Sequence, residues 1–479
     1  MTSPRRDDAV TGPRAKDVLT LRLTTYNLQQ ESPMAFSSRS LTASVLAVAA
    51  ILSFADNAYA VPAFAVQTGQ PCSACHVGGF GPQLTPLGRE FKLEGYTMRS
   101  GSDFTMPVSA MAVASYIQTA KGQSSPPAPH YAPNDNLTLD QASLFVGGGY
   151  GDHIGGLAQF TYDGVGRAVA WDNLDLRAVD RAMVDGHDVL FGLTLNNNPA
   201  VEDPWNTLPA WGFPYTASDL SPAPSAGTVI SGALAQTVVG LNAYAWIDSS
   251  IYAEAGLYTT PDRNFLRAVG VSSDDPGSLS GAAPYIRVAY AKSYDDQNFQ
   301  VGAFGFFPNI YPGNDRTTGK SDHFSDAGID ASYQFTGTGA NIYQINAIYT
   351  HENQSLDASY VLGGSARSDT LNDLRFDASY YWQNEIGGTV QVFNTWGNAD
   401  SLLYADNATF KPNSKGIMFQ VDGTPFGVVP SDLGVRFNVR VGVQYTVYTK
   451  FDGASSNYDG FGRNASDNNT LRVFVWTAM

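Results

Sequence analysis

The chain has 479 residues, with 47 Gly, 25 Tyr and 26 Phe, and is 12% aromatic but only 15% charged. That balance is poor in helix-surface Lys and Glu and rich in strand and turn formers, which points to an all-β protein. A formal net charge of -16 repels nucleic acid, so nucleic acid is not an expected partner.

The first element is an export signal. Residues 41–55, LTASVLAVAAILSFA, form an apolar run too short to span a bilayer, and Ala58-Tyr59-Ala60 behind it has the small-x-small form of a cleavage site. Met34 opens a compact MAFSSRS leader with Arg39 just before the apolar run, so synthesis is expected to begin at Met34 and cleavage to follow Ala60. Residues 1–60 carry 6 Lys/Arg and 5 Asp/Glu, which leaves the mature chain 22 against 39, a net of -17. No later stretch offers some 18 consecutive apolar residues, so any membrane crossing is expected to use strands.

The second element, 61–106, contains CSACH at residues 72–76, with Cys72 and Cys75 the only cysteines in the chain. A disulfide between them would close a very small, strained loop. A thioredoxin-type site needs a surrounding βαβ pattern that is missing here. A zinc site needs further Cys or His nearby, whereas His130, His153, His187, His323 and His351 are scattered. Covalent haem attachment fits: Cys-x-x-Cys spaces two sulfurs for the two vinyl groups, and the following imidazole meets the iron. Cys72 and Cys75 are then the thioether anchors and His76 an axial ligand. Met98 and Met106 are the local candidates for a sixth ligand, which would raise the reduction potential.

From residue 107 to 479 the pattern has period two. In FNVRVGVQYTVYTKF, Val439, Val441, Val443, Tyr445 and Val447 share one face while Asn438, Arg440 and Gln444 share the other. Sixteen such segments are expected, near 107–120, 138–150, 153–163, 168–181, 188–197, 228–247, 250–259, 283–292, 297–307, 323–335, 341–352, 371–383, 386–397, 415–423, 434–449 and 468–477. Short turns such as Gly151-Asp152 and Asp248-Ser249 alternate with long polar loops after segments 1, 5, 7, 9, 11, 13 and 15, with a short connection after segment 3. An even strand count with long loops at one end is the mark of a 16-stranded antiparallel outer-membrane β-barrel. A haem attached in the periplasm requires the first strand to run outward, as the loop lengths also do. A barrel this wide leaves an aqueous lumen unless something fills it. The loop PAVEDPWNTLPAWGFPYTASDLSPAP, stiffened by six prolines, and the haem segment are the two candidates. Met479 closes the last segment in place of the terminal aromatic residue usual in such barrels.

VPAFAVQTGQPCSACH, followed by PQLTPLGREFKLEGY and then sixteen strand segments, resembles the fused cytochrome-porins of the outer membrane, best known from iron-oxidising bacteria. The resemblance implies one haem c on Cys72, Cys75 and His76, in or at the mouth of the barrel. It further implies electrons taken from extracellular Fe(II) or another reduced donor and passed to a periplasmic c-type cytochrome. The implied location is the outer membrane of a Gram-negative bacterium, with the haem segment periplasmic or inside the barrel. Asp274, Asp275, Asp322 and Asp326 are read as acidic loop residues that concentrate cations. Two rival functions share these features: a diffusion porin whose haem segment is a plug or redox sensor, and a haem enzyme acting on a small molecule at an open sixth position.

Overall fold

Period-two alternation becomes sixteen long strands because each carries β-branched and aromatic residues on one face and polar residues on the other. The computed structural model describes residues 63–101, 108–426 and 437–479; the start at Met34, the cleavage after Ala60 and Met106 lie outside them. The strands are β1 Val108–Thr119, β2 Asn136–Tyr150, β3 Ile154–Asp163, β4 Ala168–Val184, β5 His187–Asn196, β6 Val239–Ile247, β7 Ile251–Thr259 and β8 Ala283–Tyr294. They continue as β9 Gln297–Phe306, β10 Asp322–Phe335, β11 Asn341–Ser355, β12 Ser368–Trp382, β13 Ile386–Gly397, β14 Ser414–Gly423, β15 Asn438–Lys450 and β16 Thr470–Ala478. Each pairs antiparallel with its chain neighbour, and β1 closes the ring on β16 with Ser115 opposite Phe474. Two short strands, Gly277–Leu279 and Asn309–Pro312, pair with each other at the long-loop end.

The faces are inverted relative to a water-soluble core. On β15, Val441, Val443 and Tyr445 are 42–46% exposed, whereas Arg440 is 1% and Gln444 6% exposed. Leu241, Leu257, Val288, Val301, Ile329 and Val421 extend this apolar surface around the outside. An apolar band of that extent does not stay in water, and it makes the barrel one of membrane-spanning type. At the short-turn end the rings of Tyr294, Phe299 and Tyr333, and of Phe335, Tyr343 and Tyr380, form contact chains with centroids 4.9–6.4 Å apart, as in an interfacial girdle.

The connections separate into two ends as expected, including the short 164–167 link after β3. β14 ends at Gly423 and β15 begins at Asn438. One expected boundary is wrong: β6 begins at Val239, not at 228. Val229, Ile230, Leu234 and Val238 belong instead to the long loop and are buried against Tyr258, Tyr285 and Phe306 of the inner wall.

The lumen is filled from both ends. The segment 63–101 enters at the short-turn end with three helices, α1 Ala63–Thr68, α2 Cys72–Cys75 and α3 Pro86–Leu93. The 197–238 loop folds in from the other end, as its position and prolines lead one to expect. The two meet where Asn206 Nδ2 donates to Pro82 O at 2.7 Å and Lys92 Nζ donates to Val201 O, Asp203 O and Asn206 Oδ1 at 2.7–2.8 Å.

Candidate haem site

The cysteine turn is built by α2 and held by α3. His76 N closes the single turn on Cys72 O at 2.8 Å, and Thr85 N donates to Cys75 O at 2.9 Å. Thr85 caps α3 by accepting from Gly88 N and donates its hydroxyl to Ala74 O at 2.5 Å, with Pro86 at the first helical position. Gly88 has a steric reason. A Cβ there would run into the Cys75 carbonyl, so only glycine lets α3 lie directly on the cysteine turn.

Wall side chains tie this segment to the barrel at its exposed backbone groups. Asn384 sits in the β12–β13 turn, where it and Gln383 both have positive φ, as the tight hairpin requires. Its side chain accepts from Gly78 N at 2.5 Å and donates to His76 O at 3.1 Å. Gln334 donates to Leu84 O, and Tyr244 to Leu93 O at 2.6 Å. Gln67 bridges the segment's two ends, donating to Tyr96 O and Met98 O and accepting from Gly149 N of β2.

Four buried wall arginines supply the strongest fastenings. Each pairs with a wall aspartate and also bonds one or both of the two lumen segments. Arg177 pairs with Asp175 and donates to Lys92 O and Glu202 O. Arg440 pairs with Asp422 at 2.8 Å and donates to Phe80 O at 2.8 Å and to the Tyr381 hydroxyl. Arg472 pairs with Asp140 and donates to Thr216 O. Arg287 pairs with wall Asp330 and with Asp203 of the loop, at 3.0 and 3.1 Å. The polar face of these strands therefore meets protein rather than a water-filled channel, and each buried arginine gains a carbonyl or side-chain acceptor from the lumen segments beside its wall aspartate.

Cys72, Cys75 and His76 line one cavity of about 470 Å³, within the range of ligand sites. Aromatic walls come from Phe64, Phe91 and Tyr96 on one side and from Phe80, Trp211 and Trp476 on others. Phe64 packs edge-on to Phe91 and stacks on Tyr96, at 5.0 and 5.3 Å. Both cysteines carry free thiols. Burial pushes the Cys75 thiol up to about 11, with the neighbouring Cys72 adding to the effect, and burial also raises Cys72. Burial pushes the His76 imidazole down to about 4, against the opposing pull of the Gly81 and Gln83 backbone, and its Nδ1 is buried without a hydrogen-bond partner. At neutral pH the cavity thus presents two thiols and an uncharged imidazole, the donor set that a c-type haem takes.

The other sequence candidates fare differently. Met98 does not line the cavity, whereas Met111 of β1 does, a residue that reads in the sequence as an ordinary strand position. None of the other five histidines joins the cavity. Asp322 and Asp326 are not solvated loop carboxylates: they are 3% and 0% exposed and accept from Ala358 N and Ile230 N. Asp274 is at the surface, paired with Arg263 at 2.7 Å. Among the described residues no three His, Cys, Asp or Glu side chains come together as a group that could hold a metal ion.

Fold and site together define a membrane-spanning β-barrel with a cysteine-bearing segment seated in its lumen. Similar solved structures are outer-membrane barrels. The channel DcaP of Acinetobacter baumannii is 12% identical, over 80% of this chain and 99% of that one, with a TM-score of 0.44. OmpF of Salmonella typhi, in complex with daunomycin, is 13% identical over 78% and 97% with a TM-score of 0.42. A loop-deletion mutant of OmpT from Vibrio cholerae is 6% identical over 78% and 98% with a TM-score of 0.41. No protein-family model and no curated protein matches the chain.

Proposed function

We propose that this protein is an outer-membrane electron conduit carrying one covalent haem c, which accepts electrons from extracellular Fe(II) or another reduced donor and delivers them to a periplasmic c-type cytochrome. The observation that carries the reading is the position of Cys72, Cys75 and His76 on a single aromatic-walled cavity inside the barrel lumen. The donor set fits the group: two free thiols one helical turn apart, and next to them an imidazole kept neutral by burial. When bound, the haem supplies a reversible one-electron site. The chain's own residues do the rest. Cys72 and Cys75 would anchor the group, His76 would offer a neutral nitrogen, and Phe64, Phe91, Phe80 and Trp476 would give it apolar walls.

A hydrocarbon layer about 30 Å thick insulates, and ferric iron formed inside the cell would precipitate there at neutral pH. A redox site held within a barrel lets the electron cross while the metal stays outside. The cysteine segment occupies the short-turn end, which in barrels of this type faces the periplasm and a soluble acceptor. The diffusion-porin reading is disfavoured by the two segments that meet within the lumen.

The test is to produce the full chain with the haem-attachment machinery and add Fe(II) anaerobically. The reading expects haem covalently bound at Cys72 and Cys75, reduced by Fe(II), and lost in the Cys72→Ser/Cys75→Ser variant. Covalent haem that Fe(II) leaves oxidised would remove iron as the donor, and a chain without covalent haem would remove the conduit.

A further inference from the structure

We propose that the sixth ligand to the haem iron is the thioether of Met111, an assignment that rests on the haem reading above. The strand that presents it has odd-numbered residues turned inward: Val113, Ser115, Ile117 and Thr119 are all buried. Two residues earlier on the same face, Met111 reaches the cavity that Cys72, Cys75 and His76 also line. It packs against the cluster of Val113, Phe474 and Trp476, as does Phe80 of the cysteine-bearing segment, whose ring lies 4.5 Å from that of Trp476. The wall bearing Met111 and the segment bearing His76 therefore meet at one aromatic contact beside the cavity.

Two other donors on the cavity are engaged. Lys92 spends its ammonium on three acceptors at 2.7–2.8 Å. The Tyr96 hydroxyl donates to Asp175 at 2.6 Å. The Tyr215 hydroxyl, buried without a hydrogen-bond partner, is the rival oxygen donor on the cavity, and the thioether band in the test below distinguishes it from Met111. Met98 lies off the cavity with its carbonyl bound by Gln67, and among the described residues Met111 is the thioether on the cavity wall. Its backbone is fixed by pairing on both sides, opposite Ala478 and Ser143, so the sulfur sits on a rigid element. A thioether ligand beside an imidazole one would raise the reduction potential of a bound haem. The alternative is that Met111 merely fills space in an aromatic cluster.

The experiment uses the full-length, haem-loaded protein in detergent and reads the ferric spectrum and the midpoint potential. The expected result is a low-spin haem with the far-red thioether-to-iron charge-transfer band. Met111→Leu loses that band and lowers the potential while keeping covalent haem and barrel mobility on gels, and Met111→His restores the low-spin spectrum at lower potential. The assignment is overturned if the band survives in Met111→Leu, if it disappears in Met98→Leu or Met106→Leu instead, or if the wild-type haem lacks it. A wild-type chain without covalent haem overturns the haem reading itself, an outcome separated from the others by haem staining.

Discussion

Replacing Arg440 by Met separates the docking of the cysteine-bearing segment from the stability of the wall. Arg440 is 1% exposed; it pairs with Asp422 at 2.8 Å and donates to Phe80 O at 2.8 Å. Its removal leaves a buried carboxylate without its cation, which costs about 3–5 kcal/mol. The Phe80 carbonyl also loses its donor, which costs about 1–3 kcal/mol of the segment's docking. Since 1.4 kcal/mol is a factor of ten, the amides of residues 78–81 should exchange hydrogen roughly 5- to 150-fold faster. Adding Asp422→Leu removes the stranded charge, so denaturant resistance of the barrel should largely return while exchange at 78–81 stays fast. The assay is hydrogen exchange read by mass spectrometry, alongside guanidinium unfolding in detergent. Unchanged exchange in Arg440→Met would refute the fastening role, as would a double variant whose barrel is no more resistant than the single.

Gly88→Val should lower covalent haem occupancy several-fold without altering the barrel's gel mobility, because overpacking against the Cys75 carbonyl costs about 1–3 kcal/mol; normal occupancy would show that α3 can shift freely. In haem-free protein the Cys75 thiol, held up to about 11 by burial, stays protonated below that value. Its alkylation rate should therefore climb about tenfold per pH unit from pH 8 through pH 10, where an ordinary thiol levels off near its pKa of about 8.5; a plateau near pH 9 in a mass-spectrometric time course would contradict the burial argument. In planar bilayers the protein should conduct far less than an open barrel of sixteen strands, and shortening the 197–238 loop to a tight turn should raise the conductance. A large ohmic conductance in the intact protein would mean that the lumen filling is not tight.

The strand segments were legible because alternation is a local property, and so were the two kinds of connection. The stretch at 228–238 misled for the same reason: its apolar residues pack inside the lumen, and a buried loop can mimic a strand's composition. Period two also put Arg440 and Gln444 on one face but could not say that this face meets protein rather than water. That depends on the folding-in of segments far away in the chain, such as Phe80 and Thr216. Spacing alone singles out Cys72, Cys75 and His76, and the structure puts all three on one cavity. Met111 reads in the sequence as an ordinary strand residue, 35 positions after His76, and only barrel closure carries β1 to the cavity wall. The clue was present in the strand's register, since Met111 shares its inward face with Val113 and Ile117.

The most direct test of the conduit places the haem-loaded protein in sealed liposomes containing a soluble c-type cytochrome and adds Fe(II) to the outside, without oxygen. The account predicts that the enclosed cytochrome is reduced while iron stays outside, and that the Cys72→Ser/Cys75→Ser barrel leaves it oxidised. Reduction that proceeds equally well through the cysteine-free barrel, or iron appearing inside at the rate of reduction, would contradict it.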